Sequence, residues 1–451
     1  MNVLEMPVER LAGLEFDCVC GKRHKVEVNE IRIGRGVLEE ITEVLSPYDG
    51  SKALLVSDVN TYKVAGEKIE GLLKDKFILR KLTYSDEILV PDEKAVGRLV
   101  MEIEDSALVV AAGSGALNDI TRFACARMGI PFVIAGTAPS MDGYTSTTSA
   151  LIMDGVKKSF KGVYPAAIIA DLDIMANAPM HLIHAGLGDI LGKYTALCDW
   201  ELARVLDGEF YCPTAASMIK NALERCVKAA PLLPMRDIEA VREITEALLL
   251  SGITIGMVGC SRPVSGEEHQ FSHCWEMVSI AQGKKTHWRH GNEVGVGTGV
   301  VLEAYRFLLG QDVRKLYSDR RYMDFTREKW IANVREVYGS SLADKVIGDK
   351  MDKLSFDEES RERKARKIVE KWEIMKNGVL GILPDPDRIR SMMQSVGAVY
   401  HPAELGVGRE LFKKSVMVAK DIRNRFSVMQ LLEDMGVLEE FSEVVTRMYY
   451  K

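Results

Sequence analysis

Long apolar runs are scarce in this chain of 451 residues. The longest uncharged stretches, Ile174–Gly188 and Ala247–Ser261, each hold about 15 residues, whereas a membrane-spanning helix needs about 20. The opening segment Met1–Gly13 lacks the basic-then-apolar layout of a signal peptide. We therefore expect a cytoplasmic protein without membrane insertion.

Cysteine is sparse as well. Eight cysteines in a chain of this length do not suggest a disulfide framework, and we expect reduced thiols in the core. Cys18, Cys20 and His24 would supply half of a metal site, but no second cysteine pair has the matching spacing. The sequence therefore argues against a structural zinc ion at this position.

Positive charge is not in excess either. The 59 Lys and Arg residues against 65 Asp and Glu give a net charge of −6, so no general basic bias favours nucleic acid as a partner. The basic run Arg361–Lys367 is flanked by acidic residues at helical spacing, which indicates a solvated helix. Hydrophobic residues at 47% and charged residues at 27% are typical of a globular protein.

The chain changes character near residue 175. Before that point, short β-rich runs alternate with helical patterns such as Ile120–Met128, which predicts a parallel sheet covered on both faces. The predicted strands are Lys52–Val56, Ala107–Ala111, Pro131–Ile134 and Ala166–Ala170. After that point, amphipathic helical segments take over. They are Thr214–Ala230, Asp237–Leu250, Gly295–Leu309, Arg361–Lys376 and Leu411–Arg425. We predict an α/β domain over residues 1–175, with a parallel, Rossmann-like sheet, and an all-α domain over residues 176–451.

A glycine turn, Gly113–Gly115, follows one predicted strand and opens a predicted helix. Glycine there lets a ligand approach the backbone, and the first helix amides point at it, although such turns also use glycine for steric reasons alone. Asp119 is expected in the first turn of that helix, where it is either part of the site or merely a favourable charge.

A second segment, Gly136–Ser146, follows the next strand and is rich in hydroxyl groups. It is either a surface loop or the partner of the glycine turn, because loops after successive parallel strands meet at the carboxyl edge of the sheet. Asp58 ends the first strand and is placed to accept a hydrogen bond from a ribose hydroxyl. Together these features favour a dinucleotide, although the fingerprint GxGxxG is absent.

Histidines are clustered. Six of the eight fall between residues 181 and 290, in three pairs that share a helix face at spacings of three or four. The pairs are His181 and His184, His269 and His273, and His287 and His290. Asp189 stands at the start of a predicted helix. One carboxylate and two imidazoles suit a divalent transition metal, but the spacing leaves open which histidine of each pair is the ligand.

A family resemblance rests on an ordered set of motifs. They are Gly113–Asp119, Thr137–Ser140, Asp142, Gly188–Asp189, Ser261–His273 and His290–Gly291. In this order they resemble the bacterial type of sn-glycerol-1-phosphate dehydrogenase, within the superfamily of iron-containing alcohol dehydrogenases, glycerol dehydrogenase and 3-dehydroquinate synthase. The resemblance covers at least residues 30–310 and implies an N-terminal dinucleotide-binding domain and a C-terminal helical domain that binds metal and substrate.

The resemblance also implies roles for single residues. It implies that Asp189, His269 and His290 hold one divalent metal ion (zinc, nickel or iron). Substrate would contact Asp142, Asp189 and His273, of which Asp189 and His273 are the expected catalytic residues. The cofactor would lie against Gly113, Ser114, Gly115, Ala116, Leu117, Thr137, Ala138, Pro139, Ser140 and Ser146, to which the residue patterns above add Asp58 and Asp119. His181, His184 and His287 would then have structural roles.

Two departures from the family pattern concern cofactor preference and the surroundings of the metal. Ser114 and Gly115 stand at the second and third glycine of the phosphate turn, which therefore has one glycine fewer. Asn292 follows His290–Gly291 where an acidic residue is common.

The implied activity is the interconversion of sn-glycerol 1-phosphate and dihydroxyacetone phosphate by hydride transfer with NAD(H) or NADP(H), in a homodimer or larger homo-oligomer. Asp58 favours NAD, because a carboxylate would repel a 2′-phosphate. Candidate cations for the substrate phosphate are Lys157, Lys158, Lys193 and Arg262. The alternatives are a dehydrogenase of unphosphorylated glycerol, a cyclase like 3-dehydroquinate synthase, which usually has Glu in place of Asp189, and a catalytically silent regulator.

Overall fold

The computed structural model describes residues 2–86, 88–153, 156–284 and 288–451. The chain divides into two compact units. The first consists of Met1–Ile190 and Cys212–Ser261, and the second of Leu191–Tyr211 and Arg262–Lys451. The functional division at residue 175, between a dinucleotide domain and a metal and substrate domain, stays a prediction.

The described strands all lie in the first unit and form one large sheet and two hairpins. In chain order they are β1 (Glu15–Asp17), β2 (Arg23–Lys25), β3 (Glu30–Gly34), β4 (Lys52–Asp58), β5 (Ile78–Tyr84), β6 (Leu108–Gly113), β7 (Phe132–Gly136), β8 (Thr148–Met153), β9 (Val156–Lys161) and β10 (Ala167–Asp171). The large sheet has the order β3-β10-β7-β6-β4-β5, and its neighbouring strands are parallel throughout. β1 pairs with β2, and β8 with β9, as antiparallel hairpins.

The α-helices are spread over both units. In chain order they are α1 (Ile41–Val44), α2 (Val59–Thr61), α3 (Glu67–Leu73), α4 (Glu93–Ile103), α5 (Gly115–Met128), α6 (Leu172–Ala176), α7 (Met180–Leu191), α8 (Lys193–Asp207), α9 (Pro213–Ala229), α10 (Ile238–Val258), α11 (Glu267–Ala281), α12 (His290–Leu309), α13 (Val313–Ser318), α14 (Arg327–Met351), α15 (Glu358–Leu380), α16 (Pro386–Val396), α17 (Arg409–Val418), α18 (Val428–Asp434) and α19 (Leu438–Tyr449).

The large sheet is covered on both faces, which explains the apolar runs. In β4, Leu55 packs into the hydrophobic cluster on one face, whereas Leu54 and Val56 pack into the cluster on the other. A strand buried on both faces reads as a continuous apolar run rather than as an alternation. The predicted parallel sheet is therefore confirmed, and the predicted strands correspond to β4, β6, β7 and β10.

The second unit is helical. Every regular element that the structure describes after residue 176 is a helix, which confirms the predicted all-α region. One large cluster of buried side chains in this unit includes the aromatic residues Trp275, Trp330 and Phe412. No helix among the described residues combines the length and the apolar composition of a membrane span.

The C-terminal ends of two predicted helices differ most from the observed ones. The segment Asp237–Leu250 continues as α10 to Val258, and the helix ends where Gly259 adopts a left-handed φ of 82°. The segment Leu411–Arg425 is too long, because α17 ends at Val418, whose φ of −128° departs from helical geometry.

Candidate functional site

The two predicted cofactor loops leave neighbouring strands at the same edge of the sheet. Gly113, which ends β6, is paired in register with Gly136, which ends β7. The amide of Thr137 donates to the carbonyl oxygen of Gly113 at 3.2 Å. The expectation that both loops meet at the carboxyl edge is confirmed, and this edge is where α/β proteins bind ligands.

The two glycines of the first loop differ in what they tolerate. A Cβ on Gly113 would lie 2.8 Å from Cβ of Leu117, so this glycine is required for packing of the α5 turn. A Cβ on Gly115 would meet Cγ of Met141 at 3.6 Å, an ordinary contact. The steric explanation therefore accounts for Gly113, whereas the fold does not demand glycine at position 115.

The second loop is not a surface loop. Thr137, Ala138, Pro139 and Ser140 are buried, which excludes that alternative. The hydroxyl of Tyr144 donates to the carbonyl of Ala138 at 2.7 Å and closes the loop. Ser146 is also buried, and its Oγ lies 3.0 Å from Oγ1 of Thr148 and accepts from the amide of Thr148.

We expected Asp119 in the first turn of its helix, and this expectation is wrong. α5 begins at Gly115 and has no acidic residue in its first turn. The carboxylate of Asp119 instead pairs with the buried guanidinium of Arg122, with Oδ1 3.1 Å from Nη1. Burial raises the pKa of Asp119 to about 6, although the charge of Arg122 opposes the rise.

Arg122 was not predicted from the sequence. Its side chain is fully buried and donates hydrogen bonds to the carbonyls of Gly143, Tyr144 and Thr148. It therefore holds the end of the second loop. A buried arginine of this kind gives no local signal, because it sits in a helical pattern like any surface arginine.

Asp58 caps a helix. Its Oδ1 accepts hydrogen bonds from the amides of Asn60 and Thr61, both at 2.8 Å, and its own amide donates to Oγ1 of Thr61. This capping box explains an aspartate at the end of β4 without a ligand. The proposed contact with a ribose stays a prediction.

Asp142 and Asp189 are neighbours in the first unit. The backbone amide of Asp142 donates to Oδ2 of Asp189 at 3.1 Å, and Asp189 is fully buried. Asp189 lies near the end of α7 rather than at the start of a helix, which corrects our expectation. A Cβ on Gly186 would overlap the carbonyl of Pro139, so this glycine lets α7 approach the second loop closely.

Three imidazoles converge in the second unit. The ring centroids of His269 and His290 are 5.1 Å apart, those of His273 and His290 are 5.4 Å apart, and those of His269 and His273 are 6.4 Å apart. A Cβ on Gly297 would lie 2.7 Å from the carbonyl oxygen of Glu268. The glycine-rich start of α12 thus lets α11 and α12 pack closely enough to bring the rings together.

Polar side chains orient two of these rings. Nδ1 of His269 lies 2.7 Å from Oε1 of the buried Glu268, and Nδ1 of His290 lies 2.9 Å from Oγ of Ser272. Ser272 in turn donates to Oε2 of Glu293 at 2.9 Å. Metal-bound histidines show this pattern, in which one ring nitrogen bonds to a carboxylate or hydroxyl and the other is the ligand.

Glu268 is a residue that sequence reasoning missed. Burial raises the pKa of its carboxyl, but hydrogen bonds from His269, Thr195 and the amide of Gly266 outweigh burial and hold the pKa below its ordinary value. An ionised Glu268 is therefore available to orient His269. The available signal was that Glu268 directly precedes the candidate ligand His269 in the sequence.

His273 has a cationic neighbour, and a further acidic residue is close. Nε2 of His273 lies 3.2 Å from Nη2 of Arg423, and burial lowers the pKa of Arg423 to about 10. One donor atom each from His273, Glu276 and His290 lies within 4.8 Å of the others. The sequence singled out neither Arg423 nor Glu276.

The other histidines and the candidate phosphate cations are scattered. His181 and His184 both lie on α7, the former exposed and the latter buried, while His287 lies outside the described residues. Lys157 and Lys158 are on β9, and Lys193 is buried at the start of α8. Arg262 pairs with both carboxylate oxygens of Glu209 and donates to the carbonyl of Phe426, which favours a structural role.

The chain is similar in sequence to a known enzyme family and to named relatives. Residues 32–179 match the model of the iron-containing alcohol dehydrogenase family. Glycerol-1-phosphate dehydrogenase, NAD(P)+, of Halalkalibacterium halodurans is 31% identical over 440 residues, which cover 96% of this chain and 99% of that protein. The enzyme of the same name from Geobacillus thermodenitrificans is 29% identical over 442 residues, covering 97% of this chain and all of the relative (100%).

The fold of the chain is similar to that of solved structures. Glycerol dehydrogenase from Schizosaccharomyces pombe aligns with a TM-score of 0.57 and 15% identity, over 93% of this chain and 90% of that one. At this identity the likeness supports the two-part architecture of a parallel sheet and a helical region.

Proposed function

Because the chain belongs to the glycerol-1-phosphate dehydrogenase family, we propose that it interconverts sn-glycerol 1-phosphate and dihydroxyacetone phosphate as a metal-dependent, NAD(P)-linked oxidoreductase. The observation that carries this proposal is the 31% identity over nearly the full length of both chains. We further propose that the enzyme works in the cytoplasm as a homodimer or larger homo-oligomer.

The proposed metal ligands are Asp189, His269 and His290. The donor set fits a divalent transition metal such as zinc, nickel or iron, because it offers one carboxylate and two imidazoles. Support comes from the second unit, where the hydrogen bonds at Nδ1 of His269 and His290 leave Nε2 as the ligand atom of each ring by the usual pattern. When bound, the metal supplies Lewis acidity that stabilises negative charge on the C2 oxygen of the substrate.

The proposed cofactor site is formed by Gly113, Ser114, Gly115, Ala116, Leu117, Asp119, Thr137, Ala138, Pro139, Ser140 and Ser146, with Asp58 at the ribose. The start of α5 supports the proposal, because backbone amides at a helix N-terminus favour the phosphates of a dinucleotide. The space beside Gly115 supports it as well, since the protein itself does not require glycine there. The nicotinamide supplies the hydride exchange.

The substrate would lie against Asp142, Asp189 and His273. Arg423 has hydrogen-bond donors and no acceptor, so Nε2 of His273 accepts from Arg423 and the ring proton resides on Nδ1. His273 is then a neutral imidazole whose Nδ1–H can donate to the C2 oxygen and orient it. A residue that positions or exchanges a proton at the C2 oxygen needs such a donor.

An assay of dihydroxyacetone phosphate reduction tests the proposal. The protein would be stripped of metal, reconstituted with zinc, nickel or iron, and supplied with NADH or NADPH, and the stereochemistry of the product would be determined. We expect metal-dependent formation of sn-glycerol 1-phosphate. Faster turnover with dihydroxyacetone than with its phosphate would instead indicate a glycerol dehydrogenase. A reaction that regenerates its NAD without net NADH consumption would indicate a cyclase.

A further inference from the structure

A cluster of three cysteines and one histidine lies in the first unit, apart from the residues discussed above. Cys18 and Cys20 belong to the turn of the β1–β2 hairpin and His24 to β2, whereas Cys212 precedes α9. One donor atom from each of the four lies within 4.8 Å of the others. The sequence singled out Cys18, Cys20 and His24 but offered no further ligand, and the fold supplies one, Cys212, 194 residues beyond Cys18.

The distances between these donors match a tetrahedral zinc site. With zinc–sulfur bonds of about 2.3 Å and zinc–nitrogen bonds of about 2.0–2.1 Å, a tetrahedron has sulfur–sulfur edges of about 3.8 Å and sulfur–nitrogen edges of about 3.5 Å. Sγ of Cys18 lies 3.8 Å from Sγ of Cys212, and Nε2 of His24 lies 3.5 Å from Sγ of Cys212 and 3.2 Å from Sγ of Cys20. The cysteines are free thiols, so none of them is committed to a disulfide bond.

The orientation of His24 and a neighbouring hydroxyl also suit a metal site. Nε2 of His24 is the ring nitrogen that faces the sulfurs of Cys20 and Cys212, and either ring nitrogen of histidine can be a zinc ligand. The hydroxyl of Thr214 lies 3.1 Å from Sγ of Cys18, where it can donate to a thiolate.

We propose that Cys18, Cys20, His24 and Cys212 bind one zinc ion as a structural site, separate from the metal of the proposed reaction. Four protein ligands complete a tetrahedron, so the site has no open position for substrate. Soft thiolate ligands with one imidazole favour zinc over magnesium, calcium or manganese. On binding, the three thiols lose their protons to the solvent and ligate as thiolates.

The site would hold the β1–β2 hairpin against the start of α9. β1 and β2 pair over three residues each, and a two-stranded hairpin of this size is marginal by itself. His24 and Cys212 are buried, at 3% and 0% exposure, whereas Cys18 and Cys20 are partly exposed. Zinc would thus link two segments that are distant in the sequence but belong to the same unit.

The experiment compares zinc binding by Cys20→Ser and Cys260→Ser, both made together with His269→Ala. The His269 change disables the other proposed metal site, so failure of the proposed function does not alter the readout. Cys260 is an exposed free cysteine outside the cluster and provides the matched control. Zinc content is measured by mass spectrometry after gel filtration, and affinity by competition with a chromophoric chelator.

We expect the parent, which carries only His269→Ala, and the Cys260→Ser protein to retain one zinc ion per chain. Cys20→Ser should bind zinc more than about 100-fold more weakly. Replacement by cobalt should give sulfur-to-cobalt charge-transfer absorption in the parent and the control, and a weaker band in Cys20→Ser. Because Cys20 is partly exposed, this variant is expected to fold, which circular dichroism checks. Equal zinc affinity in Cys20→Ser and Cys260→Ser would overturn the proposal, as would a Cys18–Cys212 disulfide in the parent purified without oxidant.

Discussion

Nε2 of His273 lies 3.2 Å from Nη2 of Arg423, and this pair fixes the tautomer of the imidazole. A guanidinium has no acceptor, so the histidine must accept at Nε2 and carry its proton on Nδ1. Arg423 does not have to touch substrate to matter, because it sets which nitrogen of His273 can donate. It is therefore a positioning residue in the proposed reaction.

Substitution Arg423→Gln should lower kcat by about 10–100-fold, the usual cost of removing a partner that orients an active-site side chain. The amide of glutamine can present either its oxygen or its nitrogen to Nε2, so the tautomer of His273 is no longer imposed. Steady-state kinetics with dihydroxyacetone phosphate measures the effect, and the pH profile of kcat should change shape. Arg314→Gln, an exposed position on α13, is the control and should leave both unchanged. A purely structural role for Arg423 would predict a lower unfolding midpoint with an unaltered pH profile.

Two ligand sets compete for the proposed metal, and a pair of variants separates them. The family pattern selects Asp189, His269 and His290, whereas the second unit also brings donors of His273, Glu276 and His290 within 4.8 Å. His269→Ala should abolish turnover and the metal bound for it, while Glu276→Gln should keep both. Metal content and activity are measured on the same preparations. Loss of the metal in Glu276→Gln, with retention in His269→Ala, would contradict the proposed ligands.

Glu268 should tune the metal without binding it. Its carboxylate lies 2.7 Å from Nδ1 of His269, so Glu268→Gln replaces a charged acceptor by a neutral amide of the same shape. We expect metal affinity to fall by about 10–100-fold, the usual cost of removing a residue that hydrogen-bonds to a metal ligand. Activity should recover in excess metal. Titration of the metal-free protein measures the affinity, and failure of excess metal to restore activity would argue against this role.

Four strands of the large sheet could be predicted from the sequence because they are buried on both faces. β4, β6, β7 and β10 are buried on both faces and appear as apolar runs, whereas the edge strands β3 and β5 carry Arg32, Arg80 and Lys81 and gave no signal. Polar residues at a sheet edge are ordinary, since the exposed side of an edge strand faces solvent.

The contacts that organise the candidate sites were harder to predict. Arg122 and Arg423 act through loops or helices that the chain brings together only on folding, and neither sits in a motif. Cys212 is the clearest case, because spacing in the sequence cannot assign a residue 194 positions beyond Cys18 to the same cluster. Local sequence reveals which residue types are present near each other in the chain, whereas pairing across the fold depends on packing.

The two glycines of the β6–α5 turn should respond differently to alanine. A Cβ on Gly113 would lie 2.8 Å from Cβ of Leu117, so Gly113→Ala should destabilise the protein by about 1–3 kcal/mol, the range of overpacking. Gly115→Ala meets an ordinary contact and should leave the unfolding midpoint nearly unchanged, but raise KM for NADH because the methyl group occupies the proposed path of the phosphates. Denaturant unfolding and cofactor kinetics check the pair. An unchanged KM in Gly115→Ala would count against cofactor binding at this turn.

Asp119 should make stability depend on pH. Burial raises the pKa of its carboxyl to about 6 in the folded protein, whereas the unfolded chain has the ordinary value of 3.8. Between these values the folded protein holds a proton that the unfolded chain has lost, so the free energy of unfolding decreases as pH rises through this window, by at most about 3 kcal/mol. The contribution is complete below the unfolded value and is lost above the folded one.

Asp119→Asn removes the titrating group, so the difference in unfolding free energy between the wild type and this variant should change with pH in the same window. Urea unfolding at intervals between about pH 4 and pH 7 measures it. Asp86→Asn, at an exposed position, should give a profile parallel to that of the wild type. A constant difference between the wild type and Asp119→Asn across the window would show that the ion pair with Arg122, rather than burial, governs the protonation of Asp119.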